Sequence, residues 1–88
     1  MKITIEKPDS KKLAALGVNS WPTWSKEVST FSWDYSTQET AYILEGEVTV
    51  TPNNGEPHFG VGDLVTFPAG LSCAWQVKKA LKKHYQFA

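Results

Sequence analysis

Glu39-Thr-Ala-Tyr-Ile-Leu-Glu-Gly46 and Gly62-Asp-Leu-Val-Thr-Phe-Pro-Ala-Gly70 decide the fold of this 88-residue chain. In each, a short apolar run stops at a glycine or at Pro-Ala-Gly, as expected of strands broken by bends rather than of helices. Gly46 reads as the turn between an Ala41–Leu44 strand and a Val48–Thr51 strand, where a Cβ would restrict the backbone. Gly60 to Asp63 reads as a second turn, leading into a strand over Leu64–Phe67. Pro68 ends that strand by removing a donor, and Gly70 permits the bend.

Working outward, the same pattern continues on both sides. Val28 to Tyr35 alternates, with Phe31, Trp33 and Tyr35 on one face and Ser32 and Asp34 on the other. Asn53-Asn54-Gly55 is a strong hairpin signal. Ser72–Val77 and Lys83–Phe87 read as two last strands. Only Pro8–Gly17 looks helical: Asp9 or Ser10 can cap it, Leu13 and Leu16 share a face, and Gly17 suits the left-handed C-terminal position. Pro22, within Trp21-Pro22-Thr23-Trp24, blocks continued helix. Lys2 to Glu6 reads as a first strand. About seven short strands with little helix predict an all-β sandwich or barrel, in a single domain spanning residues 1–88.

Composition narrows the function. With 41% hydrophobic and 12% aromatic residues the chain can build a core. No apolar run approaches the roughly 20 residues of a membrane-spanning helix. The opening residues lack the long apolar segment of a signal peptide, which points to the cytoplasm. Nine basic and nine acidic residues give zero formal charge, so neither nucleic acid nor an anionic membrane is an expected partner. All nine basic residues are lysines. The guanidinium suited to bidentate phosphate recognition is missing. Cys73 is the single cysteine and has no disulfide partner within the chain.

The spacings then become specific. Six residues separate Glu39 from Gly46, fifteen separate Gly46 from Gly62, and Pro68-Ala-Gly70 is followed by Leu71, Ser72 and Cys73. This pattern resembles the two motifs of the cupin superfamily, the first over about 32–46 and the second over about 62–77. Trp21–Trp24, Tyr42–Gly46, Gly62–Leu71, Cys73-Ala-Trp75 and Lys83-His-Tyr85 further resemble small single-domain cupins of the ureidoglycine aminohydrolase cupin-domain type. The resemblance implies a jelly-roll β-barrel with its site inside.

Metal-binding cupins supply two histidines and a glutamate from the first motif and a histidine from the second. Here the two histidine positions fall on Ser32 and Asp34, or on Trp33 and Tyr35, depending on the spacing chosen. Cys73 stands at the last position, and only Glu39 is retained. Imidazole is the usual neutral ligand for such ions, so a tightly bound metal is not expected, and the manganese-dependent aminohydrolase activity is not carried over. Should a divalent metal bind, Asp34, Glu39 and Cys73 are its set. His58 reads as an exposed loop residue and His84 as a rim residue.

Glu39 and Cys73 are therefore the candidate catalytic pair, with Asp34, Tyr35, Trp33 and Trp75 as ligand-binding neighbours. A carboxylate in a partly apolar pocket can serve as acid, base or hydrogen-bond anchor. A lone cysteine is more often a small buried hydrophobe than a nucleophile. Lys78, Lys79, Lys82 and Lys83 read as a solvated face that blunts an edge strand. Glu45 and Glu47 read as solvent-facing turn residues. The expected function is small-molecule binding, with acid–base or hydrolytic chemistry through Glu39 if there is turnover. The alternatives are a non-catalytic binding or interaction module that has lost the metal site, and a metalloprotein with the Asp/Glu/Cys set. A homodimer is expected, through Lys2–Glu6 and Trp21–Trp24.

Overall fold

The computed structural model describes residues 2–51 and 57–88. The hairpin expected at Asn53-Asn54-Gly55 lies outside the described residues. Among the described residues the strands are β1 (Thr4–Glu6), β2 (Thr23–Lys26), β3 (Ser29–Asp34), β4 (Glu39–Thr51), β5 (His58–Gly60), β6 (Leu64–Phe67) and β7 (Ser72–Phe87), with one α-helix, α1 (Ser10–Leu16), and a single 3-10 turn over Val18–Ser20. All pairings are antiparallel. The result is the jelly-roll barrel of a cupin, all-β with one short N-terminal helix.

Two long strands organise it. β4 and β7 pair with each other along most of their lengths, and each carries two short strands on its free edge. β6 lies on the first part of β4 and β5 on its second part. β3 lies on the first half of β7 and β2 on its second half. Bulges between Ile43 and Val48 interrupt the β4–β7 register, so both strands pass from one half of the barrel to the other. Bulges are the usual means by which a strand bends at such a corner.

Two sequence expectations are corrected here. Ser72–Val77 and Lys83–Phe87 are not separate strands but the ends of one 16-residue strand. Gly46 is not a turn between strands but a bulge residue inside the continuous β4, with φ of 101°. A Cβ there would stand 2.6 Å from the carbonyl oxygen of Ala80 and 2.7 Å from that of Lys79. Close approach of β7's backbone requires the glycine, and the left-handed conformation favours it.

α1 forms where its caps dictate. Asp9 accepts a hydrogen bond from the Lys12 backbone N–H at 2.8 Å, and Gly17 closes the helix with φ of 70°. The helix buries none of its own residues, however, and Leu16 is exposed, so the expected apolar face does not pack. The segments expected at a dimer contact, 2–6 and 21–24, fall on β1 and at the start of β2, the opposite edges of the sheet path β1-β6-β4-β7-β2. No described helix is long and apolar enough to cross a membrane.

The core fills from both halves. Ala41, Ile43, Val48 and Val50 of β4 meet Cys73, Trp75, Val77 and Leu81 of β7, with Phe59 and Phe67 between. Phe67 stacks on Tyr35 at 5.0 Å, meets Trp75 at 5.2 Å, and takes the edge of Phe59 at 5.9 Å. Aromatic area supplies much of the burial a small barrel needs.

Candidate functional site

The alternation of β3 decides which residues look inward. Phe31 pairs with Trp75 and Trp33 with Cys73 in the β3–β7 register, so the odd-numbered positions share the inner face. Tyr35 continues that face past the strand end and is buried. Ser32 and Asp34 fall on the other face and are exposed. Of the two alignments to the histidine pair, the inner face carries Trp33 and Tyr35.

A pocket of about 190 Å³ opens between β2, β3, β4 and β7. Phe31, Trp33 and Tyr35 form one wall, Trp75, Tyr85 and Phe87 another, and Trp24 leans in from β2. Trp33 and Phe87 are each 47% exposed and Trp24 36%. Three large aromatic side chains thus stand at the mouth, partly in water.

Glu39 and Lys83 lie at the inner end. The Lys83 Nζ donates to Glu39 Oε2 at 2.6 Å, and the two side chains are only 7% and 3% exposed. In the β4–β7 register Lys83 is opposite Ile43 and Glu39 is opposite Phe87, with Ala41 between on the same face of β4. The small Ala41 side chain leaves room for the lysine to run along the strand toward the carboxylate. Three rings surround the ammonium, those of Trp75, Trp24 and Tyr85, at 4.7, 5.0 and 5.8 Å. Burial pulls the Lys83 ammonium below its ordinary value, against the opposing pull of the Glu39 charge.

The expected solvated face of Lys78, Lys79, Lys82 and Lys83 is therefore corrected for one of the four. Lys83 shares the odd register of Cys73, Trp75, Val77 and Leu81, all buried. That parity was visible in the sequence. Reading the lysines as a charge run obscured it, as did ending a strand at Val77.

Tyr35 and Trp75 bring two further groups. The Tyr35 hydroxyl and Trp75 Nε1 are buried and have no hydrogen-bond partner in the protein. Burial first, then the Glu39 charge, pushes the Tyr35 phenol far above its ordinary value. Both side chains line the pocket; Tyr35 stacks on Phe67, and Trp75 meets the same ring at a tilt of 32°.

Of the six site residues expected from sequence, Glu39, Tyr35, Trp33 and Trp75 come together around this pocket. Asp34 does not join them, because strand alternation turns it away. Cys73 faces inward but lines no part of the pocket, and its Sγ–H donates to the Trp33 carbonyl oxygen at 3.7 Å. Burial raises its thiol above the ordinary value, which disfavours the nucleophilic thiolate. Lys83, Tyr85, Trp24, Phe31 and Phe87 are the site residues that the sequence reading passed over.

The donor set does not fit a divalent cation. Among the described residues, no three histidine, cysteine, aspartate or glutamate side chains are grouped to hold one. Glu39 has Lys83 as its cation. The two histidines are elsewhere and occupied: His58 Nδ1 lies 3.0 Å from Thr49 Oγ1 and His84 Nδ1 lies 2.9 Å from the Trp21 carbonyl oxygen. His58 is exposed, as expected, though on a strand rather than a loop.

Comparison with known proteins agrees with this architecture. Residues 13–85 match the family model described as EutQ-like cupin domain. A DUF861 family protein from Thermotoga maritima is 51% identical, with a TM-score of 0.96 over 99% of this chain and 100% of that one. The EutQ protein of Clostridium difficile superimposes with a TM-score of 0.69 at 18% identity, over 74% of this chain and 52% of that one. A cupin-2 domain containing protein from Shewanella frigidimarina gives a TM-score of 0.63 at 17% identity, over 72% and 63% of the two chains. At those lower identities the likeness is one of fold alone. No curated protein matches the chain.

Proposed function

The chain belongs to the EutQ-like cupin domain family, and from that footing we propose that it is a small-molecule-binding cupin whose barrel takes a small, flat, uncharged metabolite. The observation that supports this reading best is the aromatic mouth: Trp24, Trp33 and Phe87 remain partly in water around a pocket whose inner end is polar. Apolar walls with a few placed polar groups are the usual make-up of small-ligand sites. Opposite charges on Lys83 and Glu39 cancel at close range, so an ionic ligand gains no net attraction. The rings favour stacking, and the Tyr35 O–H and Trp75 N–H call for an acceptor on the ligand.

If the bound molecule is turned over, the chemistry belongs to the buried pair. Lys83 can give a proton and Glu39 receive one, without water to compete. Cys73 is assigned no role in it. A finer kinship with the ureidoglycine aminohydrolase cupin domain is proposed on the Trp21–Trp24, Tyr42–Gly46, Gly62–Leu71, Cys73–Trp75 and Lys83–Tyr85 segments. It suggests nitrogenous or carbonyl-containing metabolites, but no metal-dependent step.

Benzamide tests the pocket: it is flat and neutral and carries a carbonyl acceptor. Three of the four tryptophans line the site, so intrinsic fluorescence reports binding. Saturable quenching is expected, together with a rise in Tm. Trp33→Ala, at an exposed position, and Tyr35→Phe should each weaken binding by about fivefold to tenfold, the effect of about 1 kcal/mol. Quenching that does not saturate, or that both substitutions leave unchanged, would place the ligand elsewhere.

A further inference from the structure

We propose that Lys83 is a carbonyl-capturing amine, and that the pocket takes a small aldehyde or ketone and holds it as an imine on Lys83 Nζ. The proposal rests on the ligand reading above and adds to it a covalent step and a substrate class. Four observations converge. Lys83 is the one lysine in the pocket wall, and its Nζ is enclosed by the Trp24, Trp75 and Tyr85 rings. Its ammonium touches a carboxylate that can take the proton, Glu39 Oε2 at 2.6 Å. Two buried donors without protein partners, Tyr35 O–H and Trp75 Nε1–H, belong to side chains that line the same pocket and suit a carbonyl oxygen. The Lys83 and Glu39 side chains at the inner end are only 7% and 3% exposed, which keeps bulk water from an intermediate that water hydrolyses.

The step balances with the groups present. Lys83 passes one proton to Glu39 and becomes a neutral amine. Its lone pair forms the C–N bond as the carbonyl π bond opens, with the developing oxyanion facing the Tyr35 and Trp75 donors. The nitrogen then loses a second proton to that oxygen, giving the neutral carbinolamine. Glu39 returns its proton to the hydroxyl, which leaves as water while the nitrogen lone pair forms C=N. One aldehyde and one ammonium become one protonated imine and one water. Two of the three ammonium protons leave in the water, and Glu39 is a carboxylate before and after. Burial, which lowers the Lys83 ammonium from its ordinary value, favours the neutral amine this sequence needs.

Benzaldehyde with cyanoborohydride at neutral pH tests the inference on the unmodified protein, since reduction fixes any imine as a benzylamine that peptide mapping locates. The other eight lysines serve as internal controls. Lys83 should be labelled severalfold faster than any of them, because burial favours its neutral amine. Benzamide should protect it. Glu39→Gln removes the charge that holds the proton on Lys83 but also the acid that expels water from the carbinolamine, so labelling at Lys83 should still slow while the exposed lysines are unchanged. Label confined to the exposed lysines while benzamide still quenches the pocket tryptophans would overturn the imine and leave the ligand reading standing. Label confined to the exposed lysines with no benzamide quenching would overturn both.

Discussion

Replacing Lys83 by methionine removes one charge of a buried pair and strands the other. The Glu39 carboxylate would then lie among aromatic rings with its one hydrogen-bonded cation gone. Removing one partner of such a pair typically costs about 3–5 kcal/mol, whereas replacing both by apolar groups is often neutral. Lys83→Met alone should therefore lose about that much in urea unfolding, and Glu39→Leu with Lys83→Met should recover most of it. Equal losses in the single and double variants would mean that the pair does not act as a unit. Tyr35→Phe provides the contrast: it deletes a hydroxyl without a protein partner, so stability should stay within about 1 kcal/mol of wild type. At this scale the sequence showed half of the site. Glu39, Trp33, Tyr35 and Trp75 were legible from motif position and alternation. Lys83 was hidden because its chemistry at a surface and in a core is written by the same letter, and only register along an unbroken β7 separates the two.

Continuity of β7 depends on Gly46. A methyl at that position would meet the Ala80 and Lys79 carbonyl oxygens at 2.6 and 2.7 Å and the Leu81 Cα at 2.9 Å, all backbone atoms that cannot swing aside. The φ of 101° adds strain for any residue with a Cβ. Gly46→Ala should cost about 3 kcal/mol or more, and it should perturb the Lys83 register two residues beyond Leu81. Gly62→Ala is the control. Its φ is 88°, yet a Cβ there meets nothing within 4 Å, so only the conformational cost of about 1 kcal/mol remains. Similar midpoints for the two variants would show that close strand approach is not what the bulge requires. Strand β6 was read to the residue from sequence, because Asp63 and Pro68 punctuate it on both sides. β4 and β7 were read as broken, because a glycine bulge and a lysine run look the same in sequence as a turn and a loop. The difference between them is a non-local pairing across the barrel, which no local window contains.

For the molecule as a whole, these interior groups set the response to alkali. In the unfolded chain the Tyr35 phenol ionises near pH 10. In the folded chain burial and the Glu39 charge keep it protonated well above that. Above about pH 10 the folded protein thus holds a proton that the unfolded chain has lost, and its stability falls as pH rises. One proton corresponds to a loss of about 1.4 kcal/mol for each pH unit. Lys83 and the other titrating groups contribute to the same curve, so the useful quantity is the difference between wild type and Tyr35→Phe. Urea midpoints collected from about pH 8 to about pH 12 should be parallel for the two proteins below pH 10 and should diverge above it, with wild type falling faster. Phenolate absorbance from Tyr35 should emerge only together with unfolding, because the buried ring, stacked on Phe67 and met edge-on by Trp33, lies beside the Glu39 carboxylate, which disfavours its anion. Curves that stay parallel through the alkaline range would mean that the hydroxyl reaches water in the folded protein, and the closed inner end of the pocket would have to be redrawn as an open channel.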